Sequence, residues 1–214
     1  MDVHPKDPLS TCFLCRPDPR LVFRQGAAGL ALAGLGPISP GYSVVGTTQH
    51  VHSLADLAAP KLRDFLYFAE EIRETLTARY GSCLLAEHGN SPLCEFDSSR
   101  DKHCFHPHFL LFPGAQDVAG LIEQEAGRLQ QFNTLAGAVA AGAGRREYLL
   151  VSSSPTQFSV LVPDRMLPSQ FARALVAGQS GCPELVSWRN TPNYARALEN
   201  AAANRVLFEA SELV

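Results

Sequence analysis

No run of about 18 consecutive apolar residues occurs in this 214-residue chain, so no membrane-spanning helix is expected. The first twenty residues lack the apolar centre of a secretory leader and carry Pro5, Pro8, Pro17 and Pro19 instead. Lysine is scarce, three residues against fifteen arginines, and the net charge is −3 with a pI near 6.1. That leaves no basic field for general nucleic-acid binding, and no nucleic-acid partner is expected. Six cysteines are an even number. A chain this long buries a core without needing a disulfide framework. The reading is a cytoplasmic protein with reduced thiols. A second C-x-x-C is missing, which argues against a zinc-finger DNA binder.

What is present is a globular composition, 46% apolar and 18% charged. Leu21-Val22-Phe23, Leu30 to Ala33 and Tyr42 to Gly46 read as short strands separated by Gly- and Pro-containing turns. Ser53, with Asp56 three residues on, marks a helix start. Leu62, Phe65, Leu66, Ala69, Ile72 and Leu76 then trace one apolar face of a helix over 61–79. Charges fill its other face, which reads as solvated. Cys83 to Glu87 is a fourth strand, and a polar loop leads to the histidine run. Helices are expected over 117–129 and 168–177, with a weak helix or connection over 135–144. Tyr148 to Val151 and Phe158 to Val162 read as a hairpin, and the last thirty residues as helical. The order of elements predicts an α+β fold, a mostly antiparallel sheet with helices packed on it. Residues 1–145 would form the core, with 146–214 as a C-terminal hairpin and helices packed against it.

Three of the seven histidines fall within six residues, His103-Cys104-Phe105-His106-Pro107-His108, and Phe109 to Phe112 continue as an apolar run. As a strand, this segment places Cys104, His106, His108 and Leu110 on one face. The imidazoles of His106 and His108 would stand ~7 Å apart. That is too far for a hydrogen bond but suits two neighbouring tasks, such as holding a metal and attacking phosphorus. Two histidines on a solvated strand face are the plainer reading.

Cys12-Phe13-Leu14-Cys15 has the spacing by which two thiolates grip one tetrahedral zinc. A redox pair is the other standard reading, but Pro17 and Pro19 disfavour the helix that such a pair needs. The remaining ligands should be histidines, drawn from His50, His52 and His106.

These pieces together resemble the histidine triad (HIT) superfamily. Its signature, His-φ-His-φ-His-φ-φ followed by Pro or Gly, lies on the last strand of a five-stranded sheet. The stretch from Pro40-Gly41 to His50, followed by Ser53-Leu54-Ala55-Asp56-Leu57, resembles the family's strand and helix start. Cys12, Cys15 and His106-Pro107-His108 are similar to the zinc-bearing galactose-1-phosphate uridylyltransferase branch. Leu167 to Phe171 and Ser187-Trp188-Arg189 resemble bacterial HIT-like proteins of unassigned role. The resemblance spans roughly residues 11–190. Two triad registers are open, Cys104/His106/His108 and His106/His108/Leu110. The second is preferred because it puts Pro113 after the triad.

The resemblance implies a structural zinc held by Cys12, Cys15, His50 and His106, with His52 as the fallback for His50. It makes His108 the nucleophile. The implied activity is hydrolysis or transfer of a nucleotidyl group at a nucleotide α-phosphate through a covalent nucleotidyl-histidine. The implied partner is a nucleotide or nucleoside-phosphate conjugate, and the resemblance also admits a homodimer. Leu110 stands where the family has His or Gln, and Ser39 and Tyr42 where many members have Asn and His. These departures raise the alternative of a catalytically degenerate HIT-fold zinc protein that binds nucleotides or a partner without turnover. A metal-linked interaction module is a third reading. His103, His52 and His88 are available to replace the missing third group.

Overall fold

The computed structural model describes residues 12–90 and 105–211. Cys94, His103 and Cys104 lie outside the described residues, and with them the first position of the alternative triad register.

One sheet runs through the molecule in the order β1 (Val22–Gln25), β2 (Gly29–Ala33), β3 (Ser43–Thr47), β5 (His108–Pro113), β4 (Cys83–Gly89), β7 (Tyr148–Ser154), β8 (Gln157–Leu161), β6 (Gln130–Phe132). All its pairings are antiparallel. The expectation of about five strands is therefore corrected to eight among the described residues. The first five in this order match the expected set. The hairpin β7–β8 then joins the same sheet, because Leu85 to Gly89 of β4 pair with Ser152 to Tyr148 of β7. β4 is buried along almost its whole length, and its second row of peptide groups has to be satisfied inside the protein. β6 carries no alternation signal: it has three residues, two of them exposed.

Among the described residues, five helices pack on this sheet: α1 (Ala59–Tyr80), α2 (Ala119–Ala126), α3 (Leu135–Gly142), α4 (Phe171–Gln179) and α5 (Tyr194–Ser211). Ser53 caps a 3-10 turn, Leu54–Asp56, rather than the long helix. Its hydroxyl accepts from Ala55 N at 3.0 Å, and the Asp56 carboxylate accepts from Ser53 N at 2.9 Å. α1 starts afresh with Pro60 in its first turn and stops at Gly81, whose φ of 94° suits glycine. Phe65, Ala69, Ile72 and Leu76 of α1 are fully buried against one sheet face, as their spacing predicts. Phe65 stacks on Phe109 of β5 with ring centroids 5.6 Å apart. Removing such a ring typically costs about 3–5 kcal/mol. The polar side of α1 is not wholly solvated. Arg73 is buried, and its guanidinium donates to the carbonyls of Cys83 and Ser152.

The opposite sheet face is covered by two separate clusters. On the β4–β7–β8 side, Leu84, Phe112 and Val151 meet α2 and α4. On the β2–β3 side, Leu30, Leu32 and Val44 meet Leu14 of the N-terminal turn and Ala197 and Ala201 of α5. Leu110 touches both. Between them lies a cavity of about 420 Å³ whose wall includes His108. None of the described helices is long and apolar enough to cross a membrane.

Candidate functional site

The C-x-x-C segment is a tight turn closed by Arg16 N–H donating to the Cys12 carbonyl at 3.0 Å. Leu14, at the turn's tip, is buried against β3. Gly46 makes this approach possible, since a Cβ there would fall 2.8 Å from a Leu14 methyl carbon. The turn thereby sets both thiols beside the end of β3, where the chain leaves toward His50.

The metal-ligating atoms of Cys12, Cys15, His50 and His106 all lie within 4.8 Å of one another. Cys12 Sγ is 3.3 Å and Cys15 Sγ 3.6 Å from His106 Nδ1, and Cys15 Sγ is 3.1 Å from His50 Nδ1. Ligands around one tetrahedral zinc stand roughly 3.5 Å apart, so these separations fit a single ion. His106 Nε2 is 2.8 Å from the Thr47 carbonyl, a contact that calls for the proton on Nε2 and leaves Nδ1 unprotonated among the sulfurs. This carbonyl orients the ring as outer partners of metal-binding histidines generally do. The cluster could hold a metal ion. His52 is not part of it, and its ring stacks on Phe105 at 4.0 Å.

His106 lies just before β5 rather than inside the strand, so strand alternation alone does not aim it. Pro107, which has no N–H to give to a ladder, separates it from His108. His108 opens β5. Its Nδ1 is 3.0 Å from the His106 carbonyl, which places the proton on Nδ1 and leaves the Nε2 lone pair available. Burial pushes the His108 ring down to about 4, and the hydrogen bond to His106 only partly offsets this. Phe13, from the C-x-x-C turn, meets the His108 ring edge-to-face at 6.4 Å. The cysteine turn is thus also a wall of the cavity.

His88 of β4 and Leu110 of β5 line the same cavity as His108. His88 Nε2 is 2.5 Å from Glu147 Oε1, and Glu147 Oε2 accepts from Leu167 N at 3.2 Å. Burial alone would raise the Glu147 carboxyl, but the hydrogen bonds from His88 and Leu167 hold it below its ordinary value. Across the cavity, Asp18 accepts from Arg20 and from the Tyr194 hydroxyl, and these keep its carboxyl well below the usual carboxylate range.

No known protein-family profile matches the chain. No curated protein matches it either. Among solved structures, it is similar to yeast Ap4A phosphorylase Apa2, whose structure is a complex with AMP. The identity is 11%, the match covers 84% of this chain and 78% of that one, and the TM-score is 0.42.

All four expected metal-site residues come together, and His108 faces a cavity. Sequence reasoning missed Glu147, which is 59 positions from its partner His88 and carries no local signal. It also missed Phe13 as a wall residue, although its place inside the C-x-x-C made it findable once the turn was assumed.

Proposed function

We propose that the protein is a zinc-bearing HIT-type enzyme that hydrolyses or transfers a nucleotidyl group through His108. The observation that carries this reading is the division of labour between two adjacent imidazoles. His106 offers Nδ1 to the cysteine cluster, while His108 keeps Nε2 at the cavity wall. In the reaction, Nε2 of His108 attacks the α-phosphorus, the bond to the leaving group breaks, and water or a second phosphate then displaces the histidine. Zinc on Cys12, Cys15, His50 and His106 would supply structure, tying the N-terminal turn and the start of β5 to the end of β3. That link would keep Phe13 against His108.

A specific observation favours a second reading, nucleotide binding without turnover. Leu110, at the third triad position, is an apolar side chain packed into both clusters and offers no hydrogen bond. The test is a rapid-quench labelling experiment with nucleoside diphosphates and nucleoside diphosphate sugars of each base, labelled at the α-phosphate. An acid-labile, base-stable label that maps to His108 and is absent from His108→Ala is the expected result. Saturable nucleotide binding with no label would select the second reading. Neither binding nor label would leave an interaction module.

A further inference from the structure

Leu110 leaves the proposed reaction short of a group that can protonate the departing oxygen, and the strand beside it carries one. β4 and β5 pair with Ala86 opposite Leu110. Continued by two residues, that register sets His88 opposite His108, where side chains on one face stand about 5 Å apart at Cβ. Both histidines line the same cavity. The side chain of His88 retains 14% exposure, and that of Glu147 8%. Glu147 takes Nε2 of His88, so any proton His88 exchanges with a ligand travels through Nδ1. A carboxylate fixed by a backbone N–H and holding an imidazole by one nitrogen is an arrangement that sets ring orientation.

We infer that His88, positioned by Glu147, is the proton donor and acceptor for the leaving group, taking over the task that Leu110 cannot perform. The inference rests on His108 being the nucleophile. As the Nε2 lone pair of His108 forms the N–P bond, the P–O bond to the leaving group breaks. The departing oxygen keeps the bonding pair and takes the proton from Nδ1 of His88. Water then attacks phosphorus and gives a proton back to Nδ1 as the N–P bond breaks, which restores both rings. The substrate class implied is a nucleotide ester whose leaving group departs as a neutral alcohol or phenol.

The test uses the full chain and a series of nucleoside 5′-phosphate esters: p-nitrophenyl, phenyl and alkyl. The p-nitrophenolate ion leaves without a proton, whereas an alcohol needs one. His88→Gln is expected to lower kcat on the alkyl ester by about 10²–10⁴-fold, the range of one well-placed general acid. On the p-nitrophenyl ester it should change the first-turnover burst of p-nitrophenolate by less than about tenfold, and His108 should still become labelled, while steady-state turnover slows at the hydrolysis step that all the esters share. Glu147→Gln should steepen the same leaving-group dependence to a smaller degree. Equal losses of the first-turnover rate on all esters would make the pair merely structural and overturn the inference. So would an unchanged alkyl-ester rate, or a wild-type rate that already falls steeply with leaving-group basicity. Absence of any label on wild-type His108, even from the p-nitrophenyl ester, would instead sink the nucleophile assignment, and this inference with it.

Discussion

At the scale of single residues, the site turns on which nitrogen each ring has committed. His106 and His108 are two positions apart, yet one meets sulfur through Nδ1 and the other donates Nδ1–H to a carbonyl. His106→Ala should therefore lose metal and stability, whereas His108→Ala should keep the metal and the fold and lose labelling. Metal analysis and thermal melting of the two variants check this. A second residue-scale prediction concerns Glu87, buried on the α1 side of the sheet beside the Tyr148 hydroxyl. Burial pushes it up to about 8. The folded state thus holds a proton that the unfolded chain gives up from about pH 4.5, so stability from this group falls as pH rises from about 4.5 to about 8. Glu87→Gln should flatten that decline, so that the variant gains stability relative to the wild type as the pH is raised from 5 to 8. Denaturant melts at pH 5 and pH 8 measure it, and an equal effect at both pH values would refute the assignment.

At the scale of elements, the N-terminal turn does three jobs through four successive side chains. Cys12 and Cys15 enter the ligand cluster, Leu14 plugs onto β3, and Phe13 walls the cavity beside His108. Purified protein should carry close to one zinc per chain. Cys12→Ser or Cys15→Ser should release it and cost several kcal/mol, as loss of closed four-ligand sites does. Unchanged metal content and melting temperature would contradict the assignment. Gly46→Ala is a subtler probe of the same turn. The added methyl would collide with Leu14, so overpacking should cost about 1–3 kcal/mol and weaken metal retention, although no ligand is touched. A competition titration with a chelator reads that second effect directly.

At the scale of the whole molecule, continuity of the sheet governs. β4 is central only because β7 pairs along it, and Glu147, next to the first residue of β7, is how the C-terminal region reaches His88. A division near residue 145, with the hairpin and helices packed on the preceding core, is retained as a proposal. Whatever the boundary, a fragment of residues 1–145 would bare the β4 edge, the kind of exposed row that promotes aggregation. We expect that fragment to aggregate, and co-expression with 146–214 to restore a discrete species. Size-exclusion chromatography of both preparations tests this.

Sequence periodicity determined the antiparallel α+β class, the buried face of α1 and the strand that carries His108, because these depend on spacing along the chain. The C-x-x-C identified the two sulfur donors and limited their partners to a few histidines, since ligand chemistry is a property of residue type; the choice of His50 and His106 came from the family resemblance. Tertiary structure decided what spacing cannot encode. The hairpin near 148–162 became a continuation of the sheet, because pairing partners for β4 are chosen in space. Arg73 went inside rather than out because the Cys83 and Ser152 carbonyls were waiting for it. His52 and His50 are equally plausible ligands on paper, and only the exit of the chain from β3 turned His50 toward Cys15 and sent His52 to Phe105. His88 gained a partner in Glu147 because hydrogen bonds act over about 3 Å of space, whatever the distance along the chain.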